Sequence, residues 1–298
     1  MPLRFSHPYL LLTLTALFWS GNMVLGRGIR GDIPPISLAF WRWAIALLCV
    51  LPLALPHLKE QWPRLRAGWK PVFVLGLLGV GGYNTLAYIA LQYTVATNAV
   101  LLNSFIPIAT IAISWAFLGR HLSRAQAIGV TISFLGAATI IARGDPAPLA
   151  SLSINQGDLW MLGAVLIWAI YTVGLQWRPS GVDPMLLLAA LTIVGLLALT
   201  PLYLWELLVQ GRSIKVHAGS LASLIYVGVF PSFLGYIFYN RGVAEVGANK
   251  ASLFIHLMPV FGTILSVIFL GEIPHGFHFA GIALILGGIW LTTRPTTP

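Results

Sequence analysis

Ten continuously apolar stretches, each about as long as a membrane-spanning helix, alternate with short polar connections along the chain. A bilayer core of roughly 30 Å needs about 20 apolar residues in a helix. The ten predicted spans are residues 9–26, 36–55, 71–91, 98–118, 124–142, 158–176, 184–204, 221–239, 251–270 and 277–292. Strands of a membrane β-barrel would instead alternate apolar and polar residues. The pattern predicts an all-α integral membrane protein, and we interpret the first stretch as a retained helix rather than a signal peptide.

The composition of the chain separates it from soluble proteins. Of its 298 residues, 58% are hydrophobic and 8% are charged, and the mean hydropathy is +0.86. A soluble domain has about 25% charged residues, so a cytosolic enzyme, a nucleic-acid binder and a disordered scaffold are excluded. The single cysteine, Cys49, excludes an intramolecular disulfide and a cysteine-rich metal site, and the sequence indicates no metal or other cofactor.

Lysine and arginine are distributed unequally between the two sides of the predicted bundle. With a cytoplasmic N-terminus, eleven of them lie in inner segments and five in outer segments. The outer five are Arg27, Arg30, Arg143, Arg212 and Lys215. Because basic residues are enriched in cytoplasmic loops, both termini are predicted to be cytoplasmic, in the inner (plasma) membrane. The loop at residues 59–70 is then inside, and residues 143–156 are outside.

The second half of the chain repeats features of the first. A shift of 152 positions pairs Pro107 with Pro259, Leu118-Gly119 with Leu270-Gly271, Gly129 with Gly281, and Gly136 with Gly288. Nearer the start, a shift of 149 positions pairs Trp19 with Trp168, Pro35 with Pro184, and Pro52 with Pro201. The halves, residues 1–146 and 147–298, hold five predicted helices each, so the second half enters the membrane from the opposite side. Inverted-topology repeats of this kind, arranged around a central cavity, are common in secondary transporters.

Two corresponding segments carry a family resemblance. The first copy reads Ala90-Leu91-Gln92-Tyr93-Thr94-Val95-Ala96-Thr97-Asn98-Ala99, then Pro107 and Phe117-Leu118-Gly119-Arg120. The second reads Arg241-Gly242-Val243-Ala244-Glu245-Val246-Gly247-Ala248-Asn249-Lys250-Ala251, then Pro259 and Phe269-Leu270-Gly271-Glu272. Both resemble the EamA-type domain of the drug/metabolite transporter superfamily, and the YddG-like exporters of aromatic amino acids are the subfamily suggested. The resemblance implies ten helices, cytoplasmic termini, a central substrate cavity and export of small metabolites.

Charged residues inside the predicted spans are almost absent. None of the eight acids lies mid-span, since Asp158 is placed to cap a helix start and Glu206 lies near a helix end. This argues against a carboxylate proton relay and against selection of cationic drugs. Arg42 is the one basic residue clearly within a span, where a charge costs about 2.5–3.5 kcal/mol. It either snorkels or hydrogen-bonds between helices, or it contacts a substrate carboxylate, and the sequence leaves both open.

Polar and aromatic side chains within the spans are candidates for lining a substrate pathway. The predicted substrate-binding residues are Trp19, Asn22, Tyr83, Asn84, Tyr88, Asn103, Trp168, Tyr171, Tyr239 and His256. The two tryptophans can cover an apolar side chain, and the asparagines at 84 and 103 and the histidine can hydrogen-bond amino and carboxylate groups. The predicted helix-break or gating positions are Pro107, Pro231 and Pro259. The alternatives are interhelical hydrogen bonds for the polar residues and lipid-facing or interfacial positions for the aromatic ones.

The sequence predicts a transporter rather than an enzyme. It has no His-Glu-x-x-His motif, no pair of intramembrane aspartates and no Walker sequence, and the glycines between 76 and 82 indicate close helix packing. The expected cargo is a small neutral or zwitterionic metabolite, an amino acid first of all, exported by alternating access by a monomer. The alternatives are a carrier of drugs or nucleotide-sugars, and a channel or membrane sensor. Proton coupling could run only through a group such as His256, so facilitated or weakly coupled transport is expected.

Overall fold

A computed structural model describes residues 7–94, 96–145, 155–270 and 273–293, which form helices with short connections and contain no β-strand. In the first half, α1 is Pro8–Gly28, α2 is Pro35–Ala67, α3 is Trp69–Leu75, Gly76–Gly82 and Tyr83–Tyr93, α4 is Ala96–Asn103 and Ile106–Leu118, and α5 is Arg124–Ile141. In the second half, α6 is Gln156–Gly174 and Leu175–Trp177, α7 is Pro184–Leu204 and Trp205–Val209, α8 is Ala218–Val227, Gly228–Leu234 and Gly235–Val246, α9 is Ala248–Leu253, Phe254–His256 and Leu257–Leu270, and α10 is Gly276–Thr293. Of the described segments, nine are long and apolar enough to cross a membrane, and α1, with 21 residues, is a tenth helix of membrane length. The prediction of an all-α, ten-helix protein is confirmed.

The second helix is longer than the sequence predicted. α2 continues to Ala67, whereas the sequence placed its end at residue 55 and a loop after it. That prediction was wrong because the apolar run ends there, while the helix continues through Pro56 and Pro63 into a polar segment. Residues 57–67 include leucine, lysine, glutamate, glutamine and arginine, all good helix formers. Arg64 and Arg66 lie in the last turn, where a positive charge stabilises the helix C-terminus.

The Leu-Gly pair that both copies share is described in full in the first copy, Leu118-Gly119. In the first half, Gly119 ends α4 with φ 62°, in the left-handed region that favours glycine, and Arg120 follows it. This position therefore ends a helix. The counterpart of Arg120, Glu272, lies outside the described residues, and so does the predicted boundary between the halves at residues 146 and 147.

Two π-helical segments of equal length interrupt α3 and α8. Gly76–Gly82 and Gly228–Leu234 have seven residues each and are equivalent at the repeat shift. Single π-turns inside α-helices are frequent at functional sites. The glycines of the first segment admit close neighbours, since a Cβ on Gly79 would lie 2.4 Å from the ring of Tyr171 and one on Gly76 would lie 2.8 Å from a backbone oxygen of α7. The interpretation of these glycines as packing residues is confirmed for Gly76 and Gly79.

α2 and α7 pack antiparallel, and each begins beside the end of the other. The buried carboxylate of Glu206 accepts hydrogen bonds from the backbone N–H of Ile36 at 3.1 Å and of Ser37 at 2.6 Å. At the opposite end, the side chain of Asp183 caps the first turn of α7, and Gln61 of α2 accepts from the Asp183 N–H at 2.6 Å. Because carboxylates stabilise helix N-termini, these contacts hold both ends of the helix that carries the intramembrane cation.

α5 and α10 cross through small residues whose pairing reflects the repeat. A Cβ on Gly129 would lie 2.7 Å from the carbonyl oxygen of Gly288, and one on Gly136 would lie 2.7 Å from that of Gly281. Gly129 is the repeat equivalent of Gly281, and Gly136 is the equivalent of Gly288. Each glycine therefore contacts the equivalent of the other, which is the reciprocal pattern of an interface around a two-fold axis. The predicted inverted topology has this symmetry.

Adding a methyl group at Gly288 is expected to destabilise the protein, whereas the same change at its neighbour Gly287 is not. The new Cβ at Gly288 would lie 2.4 Å from the Gly129 carbonyl oxygen, and overpacking of this kind costs about 1–3 kcal/mol. The Cβ position at Gly287 meets nothing within 4 Å, so alanine there should add up to about 1 kcal/mol through helix propensity. Thermal unfolding in detergent measures both variants, and equal midpoints would contradict this packing.

Candidate functional site

Three pairs of repeat-equivalent residues contact each other in the interior. The pairs are Trp19 with Trp168, Asn84 with Tyr236, and Ser104 with His256. Residues that meet their own equivalents lie on the two-fold axis that relates the halves. The axis therefore runs where α1, α3 and α4 meet α6, α8 and α9. In an inverted repeat it lies in the membrane plane, near the midplane depth at which substrate sites occur.

Arg42 lies beside this axis and is hydrogen-bonded to both halves, with 1% of its surface exposed. Its Nε donates to the hydroxyl of Ser232 at 2.7 Å. Its Nη1 donates to the side-chain oxygens of Asn84 at 2.6 Å and Asn22 at 3.3 Å, and to the hydroxyl of Tyr88. Nη2 donates to none of the described residues. The guanidinium thus joins α2 to α1, α3 and α8 through neutral acceptors.

The positive charge of Arg42 has no carboxylate partner within the part of the chain that the structure describes. Neutral acceptors bind the hydrogens on Nε and Nη1 but do not cancel the charge, and a buried charge is costly in a membrane. The buried acids are engaged elsewhere, Glu206 at the start of α2 and Asp158 in the capping box of α6 that the sequence suggested. A bound anion would supply the missing charge, and guanidinium groups bind carboxylates through paired hydrogen bonds.

Six aromatic side chains, which we name the aromatic cluster, pack around the same axis. They are Trp19, Tyr83, Trp168, Tyr171, Tyr236 and Tyr239. The ring centroid of Trp168 lies between 4.8 and 5.4 Å from those of the other five. Tyr236 accepts a hydrogen bond from Asn84, which also binds Arg42. A group of packed aromatic rings therefore adjoins a buried cation, an arrangement that fits a ligand with a carboxylate and an apolar part.

Two equivalent hydrogen bonds, with asparagine and tyrosine exchanged, link helices within each half. In the first half the Tyr88 hydroxyl donates to Asn22 Oδ1 at 2.7 Å, and in the second the Tyr171 hydroxyl donates to Asn240 Oδ1 at 2.8 Å. The repeat shifts match Asn22 with Tyr171 and Tyr88 with Asn240. We name these contacts the first and second Asn–Tyr pairs. The first joins α1 to α3, and the second joins α6 to α8.

Cavities open at both ends of the bundle. At one end, a cavity of about 420 Å³ between α6, α7 and α8 is lined by Asn240, and an adjoining one of about 240 Å³ is lined by Thr172. Thr172 is hydrogen-bonded to Tyr239 of the aromatic cluster at 3.0 Å. At the other end, a cavity of about 400 Å³ is lined by the α1–α2 and α7–α8 connections and by Gln92, one helical turn after Tyr88. Following the predicted orientation, we name the first two together the inner vestibule and the third the outer vestibule.

Asn103 and His256, two of the predicted binding residues, are hydrogen-bonded to partners other than Arg42. The Tyr83 hydroxyl donates to Asn103 Oδ1 at 2.8 Å, which connects Asn103 to the aromatic cluster. Both ring nitrogens of His256 are engaged, with Nε2 2.9 Å from the Ser104 carbonyl oxygen and Nδ1 2.8 Å from the Ser133 hydroxyl. The carbonyl oxygen can only accept, so Nε2 donates to it, while the Ser133 hydroxyl can donate to Nδ1 or accept from it. His256 thereby ties α9 to α4 and α5.

The three predicted break positions all lie at irregular points of helices. Pro107 follows the interruption between the two segments of α4, Pro231 lies in the π segment of α8, and Pro259 follows the 3-10 turn of α9. The carbonyl oxygen of Pro231 accepts a hydrogen bond from the indole N–H of Trp19 at 3.0 Å. The irregular segment of α8 therefore contributes directly to the aromatic cluster, and gating at these prolines stays a prediction.

Comparison with protein families matches residues 7–142 and residues 155–294 separately to one family, described as the EamA-like transporter family. The chain belongs to the EamA-like transporter family. It is accordingly a multi-pass membrane protein and a membrane transporter. The resemblance seen in the sequence is confirmed at the level of this family, while membership of the YddG-like subfamily stays a prediction.

Named relatives and a solved structure are similar to the chain over nearly its whole length. The uncharacterized transporter YyaM of Bacillus subtilis (strain 168) is 27% identical over 282 residues, which cover 94% of this chain and 92% of the relative. The probable terminal-alkyne amino-acid exporter of Streptantibioticus cattleyicolor is 27% identical over 292 residues, with 96% and 93% covered. A crystal structure of another protein superposes with a TM-score of 0.78 at 21% identity over 96% of both chains. That structure supports the family fold alone.

Four residues that contact Arg42, Asn84 or the aromatic cluster were not among the predicted binding residues. They are Thr172, Ser232, Tyr236 and Asn240. The repeat contains a signal for two of them, because Asn84 and Tyr88 shifted by 152 positions give Tyr236 and Asn240. Ser232 has no such signal, since its equivalent in the first half is apolar and serines in membrane helices commonly hydrogen-bond their own backbone.

Proposed function

We propose that this member of the family is a secondary transporter that exports small carboxylate-bearing metabolites, amino acids among them, across the plasma membrane. The observation that supports this most is the buried guanidinium of Arg42, whose charge meets neutral acceptors and no carboxylate of the described residues. Of the two interpretations that the sequence left open, substrate contact explains why a charge is placed beside the axis. The name of the Streptantibioticus relative points to the same class of cargo.

The proposed binding mode divides an amino acid between the two features of the site. Its carboxylate binds Arg42, replacing part of the contact with the asparagine side chains. Its apolar side chain lies against the aromatic cluster, where rigid rings cover it at small entropy cost. Its ammonium group meets the oxygens of Asn22 and Asn84 and the face of Trp19, which attracts cations. Asn103 orients Tyr83 in this scheme, and His256 holds the helices around it.

The Asn–Tyr pairs suggest how access alternates between the two sides. Each pair closes one half across its first and third helices, and each lies next to one vestibule. Opening the first pair would admit substrate from the outer vestibule, and opening the second would admit it from the inner vestibule. The pairs are equivalent under an inverted repeat. The outward-open and inward-open states therefore have the same arrangement, with the two halves of the chain exchanged.

Counterflow in proteoliposomes is expected to reveal saturable exchange of an amino acid such as phenylalanine. Unlabelled amino acid inside the vesicles should accelerate uptake of labelled phenylalanine, and other amino acids should compete, while sugars and inorganic phosphate should not. The reason is that a carrier site must bind substrate to change its access. Vesicles that contain a non-transporting membrane protein give the background rate. Flux that rises linearly with concentration and shows no counterflow would identify a channel and overturn the proposal.

A pH gradient is expected to leave the final accumulation of substrate unchanged. None of the acids lies mid-span in the sequence, and both nitrogens of His256 are engaged in hydrogen bonds between helices. A proton on Nδ1 would add a second buried cation near the axis, which is costly in a membrane. Uptake of labelled phenylalanine with and without a pH gradient measures this. Uphill accumulation that a protonophore abolishes would contradict it.

A further inference from the structure

The two vestibules carry matching sets of charges. The outer vestibule is lined by Arg30, Arg212 and Lys215 and by one acid, Asp32. The inner vestibule is lined by Arg120, Arg178 and Arg241 and by one acid, Glu245. The repeat relates the two sites, since Gln92 in the outer lining is equivalent at the 152-residue shift to Ala244 in the inner lining.

Each acid is already paired, which leaves cations in excess at both ends. Asp32 lies 3.7 Å from the Lys215 ammonium and 3.4 Å from a ring nitrogen of His217. Glu245 lies 2.7 Å from Arg241. The four remaining basic residues form no ion pair within the described ranges. They are Arg30 and Arg212 in the outer vestibule and Arg120 and Arg178 in the inner one.

The enrichment of basic residues on the cytoplasmic side of a membrane explains why one vestibule is basic, but it does not explain why both are. Lysine and arginine are enriched on the cytoplasmic side and depleted on the other, so one set is disfavoured in either orientation. In the predicted orientation, three of the five outer basic residues, Arg30, Arg212 and Lys215, line the single outer vestibule. Their concentration at the mouth of the pathway indicates a role in the passage of substrate.

The charges make the whole pathway attractive to anions. Arg42 stands between two vestibules that each carry a net positive charge. A cleft lined by charges of one sign, with walls of low dielectric constant, raises the local concentration of oppositely charged solutes. It also repels a cation at each step, and a zwitterion gains little from such a field because its charges cancel.

We propose that the preferred cargo carries a net negative charge, as an organic acid or an amino-acid derivative whose amino group is neutralised does. Zwitterions are then secondary substrates and cations are excluded. This rests on the proposed function, because it concerns the cargo of the same site. The carboxylate binds Arg42, and the excess positive charge of the vestibules favours substrates that have no ammonium group.

Three compounds with the same side chain but different net charges test the charge preference in proteoliposomes. Phenylalanine is a zwitterion, N-acetylphenylalanine is an anion, and phenylalanine methyl ester is a cation at low pH and lacks the carboxylate. Initial rates of uptake at low ionic strength and acidic pH are expected to fall in the order anion, zwitterion, cation, with at least about a tenfold difference between the first two. Rapid uptake of phenylalanine with no uptake of the acetylated acid overturns this inference and leaves the proposed function standing. Uptake of none of the three overturns both.

Substitutions in the vestibules distinguish the effect of their electrostatic field from direct binding of the substrate to Arg42. Arg120→Gln combined with Arg212→Gln removes one charge from each vestibule and no side-chain hydrogen bond of the described residues. We expect the uptake rate of N-acetylphenylalanine to fall about three- to tenfold and its salt dependence to flatten, while phenylalanine uptake changes less than about twofold. Lys59→Gln, at an exposed position outside both linings, is the matched control and should change neither rate. Equal losses for both substrates, or none, would overturn the inference.

Discussion

Replacing Arg42 with glutamine is expected to lower transport at subsaturating substrate by about 100-fold or more. Arg42 is the buried cation of the site, and a hydrogen bond to a charged group contributes about 1.5–3 kcal/mol. Losing two such bonds to a substrate carboxylate therefore costs about 3–6 kcal/mol, which exceeds a factor of 100 in affinity. The measurement is the initial rate of phenylalanine uptake per reconstituted protein, with thermal unfolding to show that the variant is folded.

The conservative variant Arg42→Lys separates charge from shape. Lysine keeps the positive charge but lacks the planar pair of donors that matches a carboxylate, so we expect a loss of about tenfold relative to the native protein. The ratio between the uptake rates of N-acetylphenylalanine and of phenylalanine methyl ester adds a readout that a structural role would not change. In Arg42→Gln this ratio should fall, while the unchanged charges of the vestibules keep it above one. Normal discrimination in that variant would mean that Arg42 only joins helices, the other interpretation that the sequence allowed.

Hydrophobicity predicted the helices of this protein well because the bilayer sets their minimum length. A span must be apolar for about 20 residues, so each run in the sequence identifies a helix. Hydrophobicity does not indicate whether a helix continues outside the membrane, and for this reason the extension of α2 to Ala67 was missed. The π segments could not be predicted from the sequence either. Gly76–Gly82 and Gly228–Leu234 occupy equivalent positions in the repeat, but their sequences differ at most positions.

The site was predictable where it coincides with the repeat axis and less so elsewhere. Trp19 and Trp168 are identical at equivalent positions, and the structure brings their rings together. Asn240 was missed because its equivalent is Tyr88. The repeat was found from identical residues at a fixed shift, and such a comparison does not detect an asparagine matched with a tyrosine. Arg42 has no charged equivalent in the second half, so sequence alone could not distinguish its two interpretations.

The exchanged Asn–Tyr pairs suggest that the two sides of the membrane are closed by the same contact. Each pair is a neutral hydrogen bond between two helices of one half, and such a bond contributes about 0.5–1.5 kcal/mol. Removing one should favour opening of its own vestibule by about two- to tenfold without altering the other pair. The prediction needs a reporter on each side, and the repeat provides equivalent positions for them, Met23 and Thr172, both buried.

Asn240→Ala is expected to expose Thr172 from the inner side about two- to tenfold more often, and Asn22→Ala should expose Met23 from the outer side to the same extent. In a background in which Cys49 is replaced by alanine, Met23→Cys and Thr172→Cys serve as reporters for a membrane-impermeant thiol reagent. The rate of labelling should rise for the reporter on the opened side. It should stay level or fall for the other reporter, because a carrier that opens one side keeps the opposite side closed. If Asn240→Ala raised labelling of both reporters alike, the pair would only hold the bundle together, and alternation would need another explanation.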